Sequence, residues 1–516
     1  MFSNIITATD CRYVLATITA SSFVIAIFVS RFVLKKSGKS KSLPPVVSSA
    51  IPFIGSMMEF YSRPLQFLVK CRSKYGDIFS FTAFGQNVTV VLGTEGNNFL
   101  FNAKNTDLNA EEAYRPLTVP VFGEGVVYDV PNSVLLEQKR MVRSILTIEN
   151  LKKYVPIFEE ETKQYITKHW NKNKGDIYVL QSMAELITLT ASSTLLGAEF
   201  RAHMDEKVAL VLNDLGGAVT PLNIVFTNFP LPSNIKRNNA RAKMRDICLS
   251  IVNHRRKSDN IDDNQDLLQT LMSATYKNGR KLNDVELAHL LLTVLMAGQH
   301  TSASTAAWTI VLLAQHPHII EKILAEQKRE LGESLPPLTY DSLKKLQYLD
   351  NCIREALRIR PPLVTVLRKA INDVPIPNTD YVIPAGHYVV AAPLVTHLDE
   401  KLYHNALEYN PSRWEESIYA SSNELGNGIG EKAGEVDFGF GNVSLASARS
   451  PWIPFGAGRH RCIGETFAFL QIKSIVATMV REFDFNITEK GVPQPRSGTM
   501  FVIPEEDATI RYQRRF

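Results

Sequence analysis

The chain has few cysteines, no internal repeat and little excess of charge of either sign, and each absence excludes a class of protein. The cysteines are odd in number and scattered, so they predict no disulfide framework: Cys11, Cys71, Cys248, Cys352 and Cys462. The net charge is only +5, and no basic stripe interleaved with aromatic residues suggests nucleic-acid binding. No Pro-, Gly- or Ser-rich linker interrupts the interior. The residues after Pro44 are therefore predicted to form one unit, although their number alone would suggest about three domains.

A long apolar run lies near the N-terminus, from Val14 to Leu34. It is about as long as the 20 residues needed to cross a bilayer. Basic residues follow it directly: Lys35, Lys36, Lys39 and Lys41. They place the C-terminal side of the span in the cytosol. A cleaved signal peptide is the alternative, but the run is too long and its basic flank lies on the wrong side. We predict a membrane anchor and basic flank in residues 1–42 and a cytosolic domain in residues 43–516.

The interior predicts a mainly α fold with small β-sheets. Helical periodicity marks Glu137–Leu146, Ile157–His169, Gln181–Leu196, Asn283–Ala314, Ile319–Leu331 and Tyr340–Arg360. Pro156 is predicted to separate the first two of these. Alternating patterns around turn residues predict two hairpins, Phe79–Phe84 with Asn87–Leu92 and Tyr381–Ile383 with His387–Ala392.

The most informative motif is the glycine-rich run from Pro454 to Gly464, in which Cys462 precedes an apolar-periodic segment. Backbone N–H groups of the loop and the dipole of the following helix would lower the pKa of the thiol and favour a thiolate ligand. The positive charge of Arg459, His460 and Arg461 would suit anionic groups on the edge of a cofactor. The glycines would let a flat cofactor approach the backbone. An ordinary buried cysteine is the alternative. However, the complete pattern Phe-x-x-Gly-x-His-x-Cys-x-Gly resembles the haem-thiolate loop of the cytochrome P-450 monooxygenases. This resemblance implies a haem b whose iron takes Cys462 as its axial ligand.

The longest predicted helix begins at Asn283, with Glu286 as its capping partner. It passes through Gly298, which costs roughly 1 kcal/mol in a helix interior, and then through His300 and Thr301. Taken alone, this is a buried core helix. Beside the haem loop it resembles the oxygen-activating helix of the same family, which implies that Thr301 and His300 deliver protons. Histidine before that threonine resembles the sterol 14α-demethylases.

Two further patterns match this family. Glu355 and Arg358 lie one helical turn apart, and Arg413 follows in Asn-Pro-Ser-Arg-Trp. An exposed ion pair is the ordinary interpretation of such spacing. In this context the three residues resemble the structural Glu–Arg–Arg network of the family, which implies a role in folding and haem retention.

The run from Tyr114 to Tyr128 resembles a signature largely confined to the sterol 14α-demethylases. The resemblance implies hydrogen-bond donors to the haem propionates from Tyr114, Tyr128, Lys139, Arg368 and His460. It also implies a mainly apolar pocket lined by Leu117, Thr118, Phe122, Val127, Ala297, His300, Leu367 and Met500. Such a lining suits a lipid-sized ligand.

The chain thus resembles the fungal sterol 14α-demethylases over essentially its whole length after the anchor. The resemblance implies the cytochrome P-450 fold, in one catalytic domain behind a single transmembrane helix in the endoplasmic reticulum membrane. It implies that the 14α-methyl group of lanosterol or eburicol is removed by three successive oxidations that use O2 and NADPH, in ergosterol biosynthesis. The electrons would come from NADPH–cytochrome P-450 reductase, with cytochrome b5 as a second candidate partner.

Two alternatives stay open. A paralogue that oxidises another sterol or lipid is favoured by departures from the family at positions implied to face the substrate: Val219, Ile224, Val364, Thr365 and Ser497. A haem protein that binds sterol without turnover is the second alternative. The retained Thr301 argues against it, because ligand sensing needs no proton delivery.

Overall fold

The computed structural model describes residues 42–49, 54–204, 206–216, 227, 229–257, 266–415, 447–499 and 501–515. The predicted N-terminal anchor lies outside these ranges. So do Met500 of the predicted pocket and the departures at Val219 and Ile224.

Helices dominate the described residues. In chain order they are α1 (Met57–Ser62), α2 (Pro64–Tyr75), α3 (Gly93–Asn102), α4 (Ala110–Phe122), α5 (Asn132–Arg143), α6 (Ile148–His169), α7 (Val179–Ala191), α8 (Ala198–His203), α9 (Glu206–Gly216), α10 (Pro232–Lys257), α11 (Leu267–Ser273), α12 (Asp284–Gln315), α13 (Pro317–Leu331), α14 (Tyr340–Lys345), α15 (Gln347–Ile359), α16 (Pro393–His397) and α17 (Glu465–Glu482). The mainly α fold predicted from periodicity is confirmed.

The strands are short. They are β1 (Ile78–Ala83), β2 (Gln86–Val91), β3 (Leu108–Asn109), β4 (Lys174–Tyr178), β5 (Val366–Ala370), β6 (Val374–Pro375), β7 (Val382–Ile383), β8 (Tyr388–Ala391), β9 (Phe483–Ile487) and β10 (Thr509–Arg514). The largest sheet has the order β1-β2-β8-β5-β3, a second has the order β4-β10-β9, and β6 pairs with β7. The β1–β2 hairpin predicted from sequence is confirmed, with Ile78 opposite Val91.

The long helix α12 forms the centre of the molecule and packs against α7, α10, α15 and α17. Its 32 residues make it about 48 Å long. The predicted cap is present, because Asn283 Oδ1 accepts from the Glu286 N–H and Glu286 returns a bond to the Asn283 N–H. Most of the helix is buried on all sides, as is typical of a helix in the core of a large domain. Near its middle, Ala297 is exposed, and Gly298, His300 and Thr301 keep part of their surface accessible.

Among the described residues, the segment Val179–Leu196 is long and apolar enough to cross a bilayer, but 67% of it is buried inside the protein. Helix α7, which forms most of this segment, packs directly against α12. Its apolar composition is therefore that of a core helix.

Two of the predictions about helix boundaries are wrong. Pro156 lies inside α6, and the break between α5 and α6 falls earlier, where Thr147 caps α6. The proline removes one backbone donor, but burial of its neighbours Val155 and Phe158 offsets that cost. The predicted helix Tyr340–Arg360 is two helices, α14 and α15, which meet at Leu346.

The predicted second hairpin is also wrong. Strand β7 pairs with β6, whereas β8 lies between β2, to which it is parallel, and β5, to which it is antiparallel. Strand β8 is buried along most of its length, at Val389, Val390 and Ala391. A central position between two strands satisfies the backbone groups of β8 on both sides, which the two residues of β7 could not do.

Candidate active site

Cys462 lies on the loop that joins the short helix Gly458–His460 to α17. Its backbone N–H donates to the Phe455 carbonyl at 2.9 Å. Its side chain has accessible surface, and yet burial within the fold raises the pKa of the thiol. Both observations fit a side chain that borders an internal cavity. The prediction of a lowered thiol pKa is wrong for the protein chain alone, because burial outweighs the favourable Gly464 N–H. A bound metal ion would reverse that balance and stabilise the thiolate.

Two glycines of this loop allow close packing against the rest of the protein. Gly458 has φ +61°, and a Cβ there would lie 2.7 Å from the Phe101 carbonyl oxygen at the end of α3. A Cβ at Gly456 would lie 3.4 Å from the Phe101 ring. These two glycines therefore let the loop pack on α3. Gly464 is the one beside the sulfur, since its Cβ would lie 3.9 Å from Cys462 Sγ.

The structure brings the five predicted propionate donors together. The rings of Tyr114 and Tyr128 stack at 5.0 Å, and the His460 ring lies 6.2 Å from that of Tyr128. Burial raises the pKa of both tyrosines, and the positive charge of Arg368 acts in the opposite direction. Arg368 and the Lys139 ammonium lie close enough to each other to interact electrostatically. The Tyr114 hydroxyl accepts from the Leu367 N–H at 2.9 Å, which ties α4 to β5.

This cluster holds buried polar atoms that lack partners among the described residues. They are Nη2 of Arg368, a residue that is 3% exposed, and both ring nitrogens of His460. Lys139 Nζ donates to the Arg459 carbonyl at 3.3 Å. Burial, then Arg368, lowers the pKa of His460 to about 3, and burial also lowers the pKa of Lys139. Buried donors without acceptors are costly. Carboxylates such as haem propionates would satisfy them, so these residues fit the group that the loop motif implies.

The middle of α12 has an accessible surface formed by Ala297, Gly298 and Thr301, which we call the open strip. Thr301 Oγ donates to the Ala297 carbonyl at 2.8 Å, and a Cβ added at Gly298 would meet nothing within 4 Å. His300 stacks on Phe501 with ring centroids 5.7 Å apart. Burial lowers the pKa of His300, so its imidazole is neutral near pH 7, and its Nε2 has no partner among the described atoms.

The predicted lining residues within the described ranges keep accessible surface in a largely buried region. They are Leu117, Thr118, Phe122, Val127, Ala297, His300 and Leu367. They belong to α4, the turn that follows it, α12 and β5, and α4 contacts both β5 and α12. Val127 has φ +55°, which is strained for a β-branched residue.

Gln138 holds that strained turn, although sequence reasoning had given it no role. Its side chain accepts from the Val127 N–H at 3.0 Å and donates to the Gly125 carbonyl at 2.9 Å. It also donates to the Tyr276 hydroxyl at 3.0 Å. The one feature of the sequence that could have identified Gln138 is its position directly before Lys139, a predicted propionate donor.

Glu355, Arg358 and Arg413 meet in the core. Glu355 accepts two bonds from Arg358, at 2.8 and 2.9 Å, and one from Arg413 at 2.9 Å. Arg358 also donates to the His397 carbonyl at 2.8 Å. The buried His397 ring in turn accepts from the Ile453 N–H at 3.0 Å. His397 therefore joins the network to the chain that enters the Cys462 loop. Sequence reasoning missed it, because nothing local marks that contact.

The comparisons with known proteins agree with this geometry. The sequence model of the cytochrome P450 family matches residues 44–512. A lanosterol 14-alpha demethylase of Eremothecium gossypii is 42% identical over 92% of this chain and 89% of its own. A sterol 14-alpha demethylase of Aspergillus flavus is 40% identical over 98% of both chains. The retinoic acid-bound cyanobacterial CYP120A1 superposes with a TM-score of 0.76 at 22% identity, covering 92% of this chain and 100% of its own, which shows the fold.

The region matched by the family model contains a thiol with accessible surface, a buried basic cluster beside it and an open strip on a central helix. This chain belongs to the cytochrome P450 family of haem-thiolate monooxygenases, in the branch of the fungal sterol 14α-demethylases.

Proposed function

We propose that this protein removes the 14α-methyl group of a sterol such as lanosterol or eburicol, in ergosterol biosynthesis. The observation that carries the proposal is the identity of 40–42% with sterol and lanosterol demethylases over nine tenths or more of the chain. The half-buried apolar side chains of α4 and β5 support it, because they suit a large apolar ligand. The reaction would comprise three successive oxidations of one methyl group, each consuming O2 and NADPH.

Cys462 would ligate the iron of haem b, and the basic cluster would bind its propionates. When bound, the haem would supply the dioxygen activation that no side chain can perform. Arg368, Lys139 and His460, with Tyr114 and Tyr128, would fix the orientation of that cofactor. The buried atoms of Arg368 and His460 that lack acceptors support this assignment.

Thr301 and His300 would manage protons on the open strip of α12. The Thr301 hydroxyl donates to a carbonyl in the preceding turn and can exchange that bond for another acceptor at small cost. The neutral His300 imidazole can either donate or accept a proton. The apolar side chains would hold the sterol and exclude bulk water from the reacting carbon.

Electrons would come from NADPH–cytochrome P-450 reductase, with cytochrome b5 as a second donor. Residues 1–42 would anchor the protein as a single pass in the endoplasmic reticulum membrane, with the catalytic domain of residues 43–516 in the cytosol. Deleting residues 1–42 should give a more soluble holoprotein that still associates with vesicles of microsomal lipid. A deletion variant as insoluble as the full chain would contradict the anchor.

The function is tested with purified holoenzyme, reductase, NADPH and lanosterol or eburicol, by assaying the demethylated sterol and formate. We expect both products in equal amounts. A second candidate, oxidation of a different sterol, is favoured by the departures at Val364, Thr365 and Ser497. Val364 belongs to the same buried apolar cluster as Val502, so a different residue at position 364 alters the packing of this region. If the enzyme oxidises other sterols but releases no formate from lanosterol or eburicol, this second candidate is favoured and 14α-demethylation is refuted.

A further inference from the structure

Two histidines of α12, His289 and His300, each face a glycine from an element that packs against the helix. They lie eleven residues apart, which is about three turns, and therefore share one face of the helix. A Cβ added at Gly123, just after α4, would overlap the ring of His289. A Cβ added at Gly216, the last residue of α9, would overlap the ring of His300.

The two glycines differ in what they require. Gly123 has φ +98°, so its backbone conformation alone favours glycine. Gly216 has no such positive φ, and only the lack of space excludes a side chain there. A Cβ at this position would lie 2.6 Å from His300 Cε1 and closer still to Nε2. Gly216 therefore lets α9 approach α12 at His300.

The His300 ring is also confined from another direction. It stacks on Phe501. Val502, which follows Phe501 in the chain, is held to α12 by hydrogen bonds. The Val502 carbonyl accepts from Ser304 Oγ and from Trp308 Nε1, both at 2.7 Å. The Val502 N–H donates to the Pro362 carbonyl at 2.9 Å. With Phe501 fixed in this way, a side chain at position 216 would have to push the imidazole toward the open strip or hold α9 away from α12.

We propose that Gly216 is a positioning residue for substrate binding: its missing side chain lets α9 close on α12 and holds the His300 imidazole between Gly216 and Phe501. This inference rests on the proposed function, in which His300 borders the sterol pocket. A larger residue at position 216 should disturb the shape of the sterol site. It should leave access of a small ligand to the haem unchanged, because the atoms nearest to a Cβ at position 216 all belong to the His300 ring and none to the Cys462 loop.

The test compares the wild-type holoenzyme with Gly216→Ala, His300→Ala and the double variant. Lanosterol affinity is measured from the low-spin to high-spin change of the Soret band, imidazole affinity from its own spectral shift, and stability from thermal unfolding. We expect Gly216→Ala to weaken lanosterol binding roughly tenfold or more through overpacking and to lower the melting temperature. Imidazole affinity should be unchanged.

The double variant decides the cause. With the ring removed, Gly216→Ala should no longer lower the melting temperature or lanosterol affinity relative to His300→Ala, because alanine favours helix and has space. Equal effects of Gly216→Ala in both backgrounds, or no effect in the wild type, would overturn the proposal. If the wild type does not respond to lanosterol, the proposed function fails, while the melting temperatures of the four proteins still test the contact between Gly216 and His300.

Discussion

Replacing Glu355 by glutamine should destabilise the holoenzyme, because this carboxylate is the common acceptor of a buried network. The side chains of Glu355 and Arg358 are both 0% exposed. Glu355 Oε1 accepts from Arg358, Arg413 and the Asn410 N–H, while Oε2 accepts from Arg358 Nε at 2.9 Å and Trp414 Nε1 at 3.0 Å.

The magnitude follows from these contacts. If the glutamine oxygen takes the place of Oε1, its NH2 group meets two donors and loses both bonds made by Oε2. One is charge-assisted, worth about 1.5–3 kcal/mol, and one is neutral, worth about 1 kcal/mol. The resulting loss of about 2.5–4 kcal/mol agrees with the roughly 3–5 kcal/mol expected for breaking a buried ion pair. It is a large part of a total stability of about 5–15 kcal/mol.

The assay is urea unfolding of the holoenzyme followed at the Soret band, together with the yield of haem-bound protein. We expect a midpoint lower by up to about 1 M and a reduced yield. Glu59→Gln is the matched control, since Glu59 pairs with Lys70 at 2.7 Å with both side chains largely exposed, at 51% and 72%. That variant should unfold like the wild type. Identical midpoints for the two variants would refute the role assigned to the network.

Three further outcomes test the site. Cys462→Ser should abolish the red-shifted Soret band of the reduced, carbon-monoxide-bound protein, and its persistence would exclude Cys462 as the ligand. Thr301→Ala should fold and bind haem but consume NADPH with little product. The control is Thr309→Ala, which loses a similar bond to a carbonyl, at 2.7 Å, about 12 Å further along α12 and should still couple NADPH consumption to product formation. Equal coupling in the two variants would exclude Thr301 from proton delivery. Burial, then Arg358, lowers the folded pKa of His397 to about 3, below an unfolded value of about 6.5. As the pH falls from 7 to 5, only the unfolded chain gains this proton, so stability should fall by about 2 kcal/mol more in the wild type than in His397→Gln, as measured by urea unfolding at both pH values.

Local patterns were sufficient where the deciding interactions are local. The cap of α12 is made by Asn283 and Glu286, three residues apart, and the largely apolar composition of this helix predicts a position at the centre of the fold. The β1–β2 hairpin is closed by a short turn between adjacent strands. The motif around Cys462 was informative for the same reason, since its residues are consecutive in the chain.

Only the tertiary structure decided the features that depend on distant residues. Strand β8 pairs with β2, about 300 residues away, and so the predicted hairpin with β7 does not form. Pro156 remains within α6 because packing of the helix offsets one lost hydrogen bond. The thiol pKa of Cys462 is raised because burial by the whole fold outweighs the local amide and basic residues. The approach of Gly216 to His300 and the unsatisfied donors of Arg368 and His460 likewise arise only when separate helices and strands pack, because space and desolvation are properties of the assembled core rather than of any segment.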